Sequence, residues 1–457
     1  MDKLNKTGHA TDRIGNDKIG KLLFEFSVPA IIGMVVNAVY NIVDRIYVGQ
    51  GVDPLGIAGI SLVMPLVMVM MASSIIVGVG ANALFSIRLG EGRRDEVEKI
   101  MGHAIVLLFL IPFVVLVVLF VFLDPILKNV LGASDTVFPY ARTYFQIILY
   151  GGVFSAMGPG INHFIRSDGH PRISMATQIL GALTNIVLDP IFIFVFGWGI
   201  AGAAWATILS QFISFVWVIC YFNSPMTALR FRLRDMKLKW ALCRKILAIG
   251  FAPFSMQLAI GVVNMALNRS LFAYGGDVAV ASMGIVYSIL TMIFMPLMGL
   301  NQGVQPIIGY NYGAKRYARV KETYRLAVLS ATAFVSIGFA FIQLFPGPFI
   351  ALFRNEAGPI FDMGVHALRI CTMFLPIIGF QMISANFFQA IGKPIQGTVL
   401  SLSRQILFYI PILFVLPRFF GISGVFFAMP AADVCASTLS ALVIWREFKN
   451  LNALEAA

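Results

Sequence analysis

Charge is scarce in this chain of 457 residues: only 12% of them are Asp, Glu, Lys or Arg, about half the share of a soluble domain. So few charges cannot clothe a water-facing surface, and with 58% hydrophobic residues the expected solvent is lipid. Cysteine is rare too. Cys220, Cys243, Cys371 and Cys435 stand far apart, which excludes both CxxC zinc spacing and a disulfide framework and leaves them as packing residues. No GxxxxGK[ST] phosphate loop occurs, and "GYNYGAKR" at Gly309 to Arg316 lacks its spacing, so direct ATP hydrolysis is not expected. Paired acidic clusters of the kind that hold Mg²⁺ and diphosphate are absent, as is a nucleophile with its base. An enzyme is therefore not expected, nor a cofactor, and the chain shows no cleavable signal peptide ahead of its first full-length apolar run.

What the sequence does contain is apolar runs. Twelve of them reach the roughly 20 residues that cross about 30 Å of hydrocarbon as a helix: Phe24 to Val48, Leu55 to Ile87, Ile100 to Leu123, Val137 to Ile165, Ile173 to Phe196, Ile200 to Phe222, Ile246 to Tyr274, Val278 to Tyr310, Leu326 to Phe345, Ile360 to Ile391, Ile395 to Leu416 and Ile422 to Trp445. Their length and internal Gly and Pro predict an all-α integral membrane protein and exclude a barrel of short alternating strands. The net charge of +12 is not spread evenly. Basic residues crowd every second connection (Lys3 to Lys21, Arg88 to Lys99, Arg166 and Arg172, Arg230 to Lys245, Lys315 to Arg325, Lys393, Arg446 and Lys449), while the intervening loops hold little more than Lys128, Arg354 and Arg418. The positive-inside rule makes the crowded connections and both termini cytoplasmic, and it accounts for the basic surplus without nucleic acid.

The chain also repeats itself. "RLGEGRRDEV" at Arg88 to Val97 matches "NYGAKRYARV" at Asn311 to Val320, and "FIRSDGHPRIS" at Phe164 to Ser174 matches "FFQAIGKPIQG" at Phe387 to Gly397, both at a shift of 223. "GIAGAAWA" at Gly199 matches "GISGVFFA" at Gly421 at nearly the same shift. Six spans per repeat give both halves one orientation, related by a pseudo-two-fold axis along the membrane normal. The expected organisation is a six-helix bundle over 1–222, a cytoplasmic connector over 223–245 and a second bundle over 246–457. That is transporter architecture, with membrane lipid and a small solute as the expected partners.

Acids inside the spans are few: Asp44, Asp189 and Asp433. Each costs roughly 2.5 to 3.5 kcal/mol near the bilayer centre, so such residues usually serve a pathway or a counter-ion. Asn37, Tyr40, Asn41 and Asp44 form one helix stripe, as do Gln178, Asn185 and Asp189, with Pro190 favouring a bend just after the acid. Counting 1.5 Å per residue places Asp44, Asp189 and Thr207 in the outer half of the first bundle, so a cluster of Asp44, Asn185, Asp189 and Thr207 is geometrically allowed. Two carboxyl groups in a water-poor cavity can take up and release a proton, and the same oxygens with Asn185 and Thr207 can coordinate Na⁺. The second half places Ile410 opposite Asp189 and offers instead Gln257, Asn264 and Asn268, residues equally suited to touching a solute or packing helices. Asp433 is poised between a cavity role and pairing with a neighbouring helix.

"YNIVDRIYVG" at Tyr40, "NIVLDPIFIF" at Asn185, "GIAGAAWAT" at Gly199 and "QPIIGYNYGAKRYARVK" at Gln305 together resemble the MATE (multidrug and toxic compound extrusion) family over nearly the full length, and in particular its bacterial MepA-like branch. The resemblance implies two bundles around a V-shaped cavity in a bacterial plasma membrane, acting as a monomer and exporting cationic amphipathic compounds in exchange for H⁺ or Na⁺. On matching positions Asp44, Asn185, Asp189 and Thr207 correspond to the family's cation or proton site, with Tyr40 beside it. Arg45 departs from the family pattern, where many relatives are uncharged. The alternative, a lipid-linked precursor flippase of the same broad superfamily, calls for a basic intramembrane cavity, whereas Arg45, Arg142, Arg269, Arg369 and Arg404 are scattered.

Overall fold

A computed structural model describes residues 13–227, 229, 233–353 and 358–456. Lys3, Lys6, Arg230, Arg232 and Arg354, used above to assign sidedness, lie outside the described residues, as does part of the expected connector. Among the described residues there is no strand. Helices cross as α1 (Ile19–Gly51), α2 (Pro54–Gly90), α3 (Arg94–Val121), α4 (Phe138–Ser167), α5 (Pro171–Pro190, continued by a π-helical turn Ile191–Val195) and α6 (Gly199–Asn223). After a short 3₁₀ turn at Leu233–Met236, helical hydrogen bonding runs from Trp240 to Gly313, and Gly276, at φ 61° and ψ −158°, divides it into α7 (240–275) and α8 (277–313). Then come α9 (Tyr317–Leu344), α10 (Pro359–Cys371 with Leu375–Ala390), α11 (Pro394–Leu402, a π-helical Ser403–Tyr409, and Ile410–Val415) and α12 (Pro417–Ala456).

Two spans differ from their expected form. α10 is not one rod but two pieces bent by 55°, because Pro376 opens the second piece and has no N–H to continue the ladder. α4 is less apolar than the rest and falls outside the nine helices that qualify as spans on length and hydropathy alone. Those nine, with the bent α10, the division at Gly276 and α4, make up the twelve crossings.

The internal repeat is visible in the backbone. Gly169 and Gly392, aligned by sequence, both adopt positive φ, 90° and 71°, at the connections into α5 and α11, where a side chain would meet the strain that glycine avoids. The two halves meet along a seam that obeys the same two-fold relation. A Cβ on Gly90 would overlap the carbonyl oxygen of Tyr310, and one on Gly313 would overlap that of Ile87, the same contact with the halves exchanged. Gly80 of α2 lies equally close to Gly250 of α7, and its mate Gly303 of α8 abuts Ser27 of α1. On the axis itself, Asn82 Nδ2 donates to Gln305 Oε1 at 3.2 Å, two residues 223 positions apart. Ser167 Oγ donates to Asn82 Oδ1 at 2.7 Å, and Arg166 Nη1 reaches the Gln302 carbonyl at 3.4 Å.

All of this lies in the half of the molecule nearest the basic connections. The segment before α1 adds to it: Ile14 is buried, and Arg319 donates to the carbonyls of Ile14 and Asp17 at 3.1 and 2.7 Å while Arg316 holds Gly15 and Asn16. Among the described residues, every side-chain hydrogen bond that joins the two halves falls on this basic side. At the opposite end Arg142 pairs with Asp124 at 2.7 Å within the first half. Gly313→Ala is expected to lower stability by about 1–3 kcal/mol, the usual cost of overpacking. Gly261→Ala, with nothing within 4 Å of the new methyl, is neutral or stabilising. Melting of both variants in detergent checks the difference.

Candidate functional site

The first half buries a carboxyl deep in its interior. Asp189 is 0% exposed and Asn185, one helical turn earlier on α5, is 1% exposed. Pro190 follows directly, and beyond it the helix widens into the π turn Ile191–Val195. The expected bend thus takes the form of a widened turn, a geometry common at functional sites. Asn185 Nδ2 donates to Asp189 Oδ1 at 3.3 Å. Asp189 Oδ2 and Asn185 Oδ1 are both buried and have no donor.

The polar group facing Asp189 from α1 is another carboxyl, Asp44, close enough for hydrogen bonding. Two carboxylates cannot satisfy one another, since each only accepts; a proton on either supplies the missing donor. Tyr40, one turn before Asp44, and Tyr144 of α4 lie within the electrostatic reach of both acids. Arg45 is exposed, and its charge acts on Asp44. The arrangement is a cluster of two carboxyls, two phenols and an amide in which buried oxygens lack donors, a set suited to a cation.

The other expected residues are placed less centrally. Thr207 turns its hydroxyl onto the Ala203 carbonyl of its own helix at 3.0 Å. Asn41 Nδ2 caps the Asn37 carbonyl at 2.6 Å on the exposed stripe of α1, and Gln178 packs its amide against Gly33, joining α5 to α1. On α7, Gln257 and Asn264 are half-buried and Asn268 is exposed. Asp433 belongs to a separate cluster, where Arg404 Nε donates to it at 2.6 Å. Tyr144 was not anticipated. Its signal in the sequence is slight, a tyrosine one turn beyond Tyr140 in an apolar span, and only the packing of α4 against α2 and α6 shows which way it faces.

The MatE family profile matches the chain twice, over residues 29–191 and 253–415, once in each half. The chain belongs to the MatE family. Among curated relatives of this family it is 27% identical to the multidrug export protein MepA of Staphylococcus haemolyticus (strain JCSC1435) and 25% identical to MepA of Staphylococcus aureus (strain NCTC 8325), in both cases over 93% of each chain. Among solved structures it resembles a ligand complex of the MATE multidrug transporter DinF-BH, with 36% identity, a TM-score of 0.87 and coverage of 94% of this chain and 96% of the other. It is also similar to an outward-facing multidrug resistance MATE transporter of the MOP superfamily, at 25% identity and a TM-score of 0.89 over 97% of this chain and 98% of that one. These relatives are transporters and not enzymes, and a multi-pass membrane protein with the MATE fold is what the chain forms.

Asp189→Asn keeps the shape of the site and supplies a donor toward Asp44. The variant is expected to melt at or above the wild-type temperature at alkaline pH, because a buried acceptor lacking a partner costs about 1–3 kcal/mol. A large drop in melting temperature would show the carboxylate to be a structural strut.

Proposed function

We propose that the chain exports amphipathic cationic drugs and toxic compounds across a bacterial plasma membrane, in exchange for a cation taken up at Asp44 and Asp189. The observation that carries this reading is the pair of facing carboxyls with a fully buried, donorless oxygen between them. A proton satisfies that oxygen directly and makes H⁺ the preferred coupling ion. One further observation favours a second ion: Asn185 Oδ1 is also donorless, and with the two carboxyls it makes a set of hard oxygens that Na⁺ accepts.

The seam supports alternation between two openings. With the basic end placed in the cytoplasm, the side-chain hydrogen bonds between the halves, among the described residues, fall on the cytoplasmic side. The acidic cluster, far along α5 from its basic start, then lies toward the outer side. Exposure of a cargo to the cytoplasm requires the Asn82–Gln305 bond and the Gly90 and Gly313 contacts to part. Because those contacts repeat about the axis, they would be lost together and give two discrete states rather than a continuum. A basic cavity for lipid diphosphate finds no support, since Arg142 and Arg404 are each neutralised by an acid.

Purified protein in liposomes is expected to move the fluorescent cation ethidium against an imposed pH gradient, with Asp189→Asn inactive though folded. A Na⁺ gradient applied at constant pH distinguishes the second ion. Dye movement that persists in the variant would sink the assignment of the coupling site.

Replacing Asn82 and Gln305 together with Ala is expected to increase labelling of cysteines introduced along the cytoplasmic halves of α2 and α8, because the closed basic end loses its axial bond. Labelling equal to that of the parent would mean that the bond does not hold the seam.

A further inference from the structure

The seam buries a charge that the export reading does not use. Arg166, in the last turn of α4, is 3% exposed. An arginine at the end of a membrane helix ordinarily reaches out to the interface. This one leans back into the span and meets the Gln302 carbonyl, eleven residues and hence about 16 Å before the basic end of α8. Its partners are all neutral: Nη1 donates to that carbonyl at 3.4 Å, Nη2 to Ser174 Oγ at 3.2 Å, and Nε is buried with no partner. Among the described residues no acid acts on it. Asp168, two positions on, accepts from Tyr221 at 2.7 Å, and the cations that act on it are His170 and Arg94. The ionisable group within reach of Arg166 is His163, one turn earlier, which can carry only the same sign.

The scaffold does not require this charge. At the repeat shift of 223, Arg166 corresponds to Gln389 and Ser174 to Gly397. Gln389 is buried and lies against Gly397, as Arg166 lies against Ser174, so the second half closes the same corner with a neutral amide. The C-terminal end of α4 favours a cation, but that gain is small beside the cost of holding a guanidinium away from water with no counter-ion.

That cost falls on the closed state alone, because Arg166 sits where the halves meet and parting them gives its N–H groups water. The close glycine contacts and the Asn82–Gln305 bond favour closure; the guanidinium works against them. We propose that Arg166 drives the return step of transport: buried without a counter-ion while the basic end is closed, it favours reopening toward the cytoplasm and keeps the two states close enough in free energy to interconvert. The inference rests on the alternation reading above, and its test separates the two.

Ser27 of α1 is a suitable reporter: it is buried against Gly303 of α8 and its hydroxyl has no partner, so Ser27→Cys places a thiol at the seam with no bond lost. Modification of that thiol by N-ethylmaleimide in proteoliposomes without cargo, read by peptide mass spectrometry, follows the open fraction of the basic end. In this background Arg166→Gln, the residue type of the second half, is expected to slow modification about tenfold or more. Arg166→Lys, which keeps the charge, is expected to stay within about threefold of the parent. Arg166→Met, apolar and of similar length, is expected to give the same slowing even where the glutamine variant folds poorly. An arginine that merely braced Gln302 gives the opposite sign, since its loss would loosen the seam and speed modification. Faster or unchanged modification in the neutral variants, with the parent exporting ethidium, would overturn the role of Arg166 and leave export intact. A parent whose introduced thiol is never modified and which moves no ethidium would overturn the alternation reading and the inference with it.

Discussion

Lipid cannot supply hydrogen bonds, so every polar group placed between the ends of these helices has to find its partner within the chain. Most do. Serine and threonine hydroxyls bond back to their own helices, as Thr207 does to Ala203 and Ser214 to Ser210, and Asn82, Ser86, Ser167 and the Gln305 carbonyl oxygen bond to one another where the halves join. Against that rule, some buried groups lack a partner, among them Asp189 and Asn185 beside Asp44 in the first half and Asp433 Oδ2 beside Arg404 in the second. The first cluster has carboxyl and amide oxygens short of donors and suits a cation; the second pairs a carboxylate with an arginine.

The duplicated architecture explains why these sites are separate and unlike. The repeat fixes the scaffold: positive-φ glycines at equivalent connections, close backbone contacts at equivalent heights, and an amide pair on the axis. It does not fix the chemistry. The π-helical segments of α5 and α11 fall at different heights, Ile191–Val195 after the acid of α5 and Ser403–Tyr409 around the arginine of α11. The seam is symmetric because both halves must close on each other, while the interiors are free to diverge.

Much of this was legible in the sequence. The apolar runs, their alternation with basic connections and the shift of 223 give the twelve helices and their pairing into halves, because lipid leaves a long apolar segment almost no alternative to a helix. The rarity of intramembrane acids singles out Asp44 and Asp189, and their helical depth places both in the outer half of the first bundle. What the sequence could not convey is rotation about the helix axes. Tyr144 joins the acids, and Thr207 turns to its own backbone, through how α4 and α6 pack, which no local pattern encodes. The break in α10 was signalled by Pro376 but masked by the apolar residues around it. Arg404 read as one of several scattered arginines, because its partner Asp433 lies 29 positions away and the π turn that aims it has no simple sequence mark.

The central claim is that the first half holds a proton on a carboxyl pair and gives it up when a cationic substrate is bound. Proton release measured with a pH indicator in weakly buffered detergent solution, on mixing the purified protein with ethidium, tests this most directly. The account predicts acidification by the wild type that vanishes in Asp189→Asn although the variant still binds the dye. Dye binding by the wild type with no proton released at any pH, in the absence of Na⁺, would contradict it.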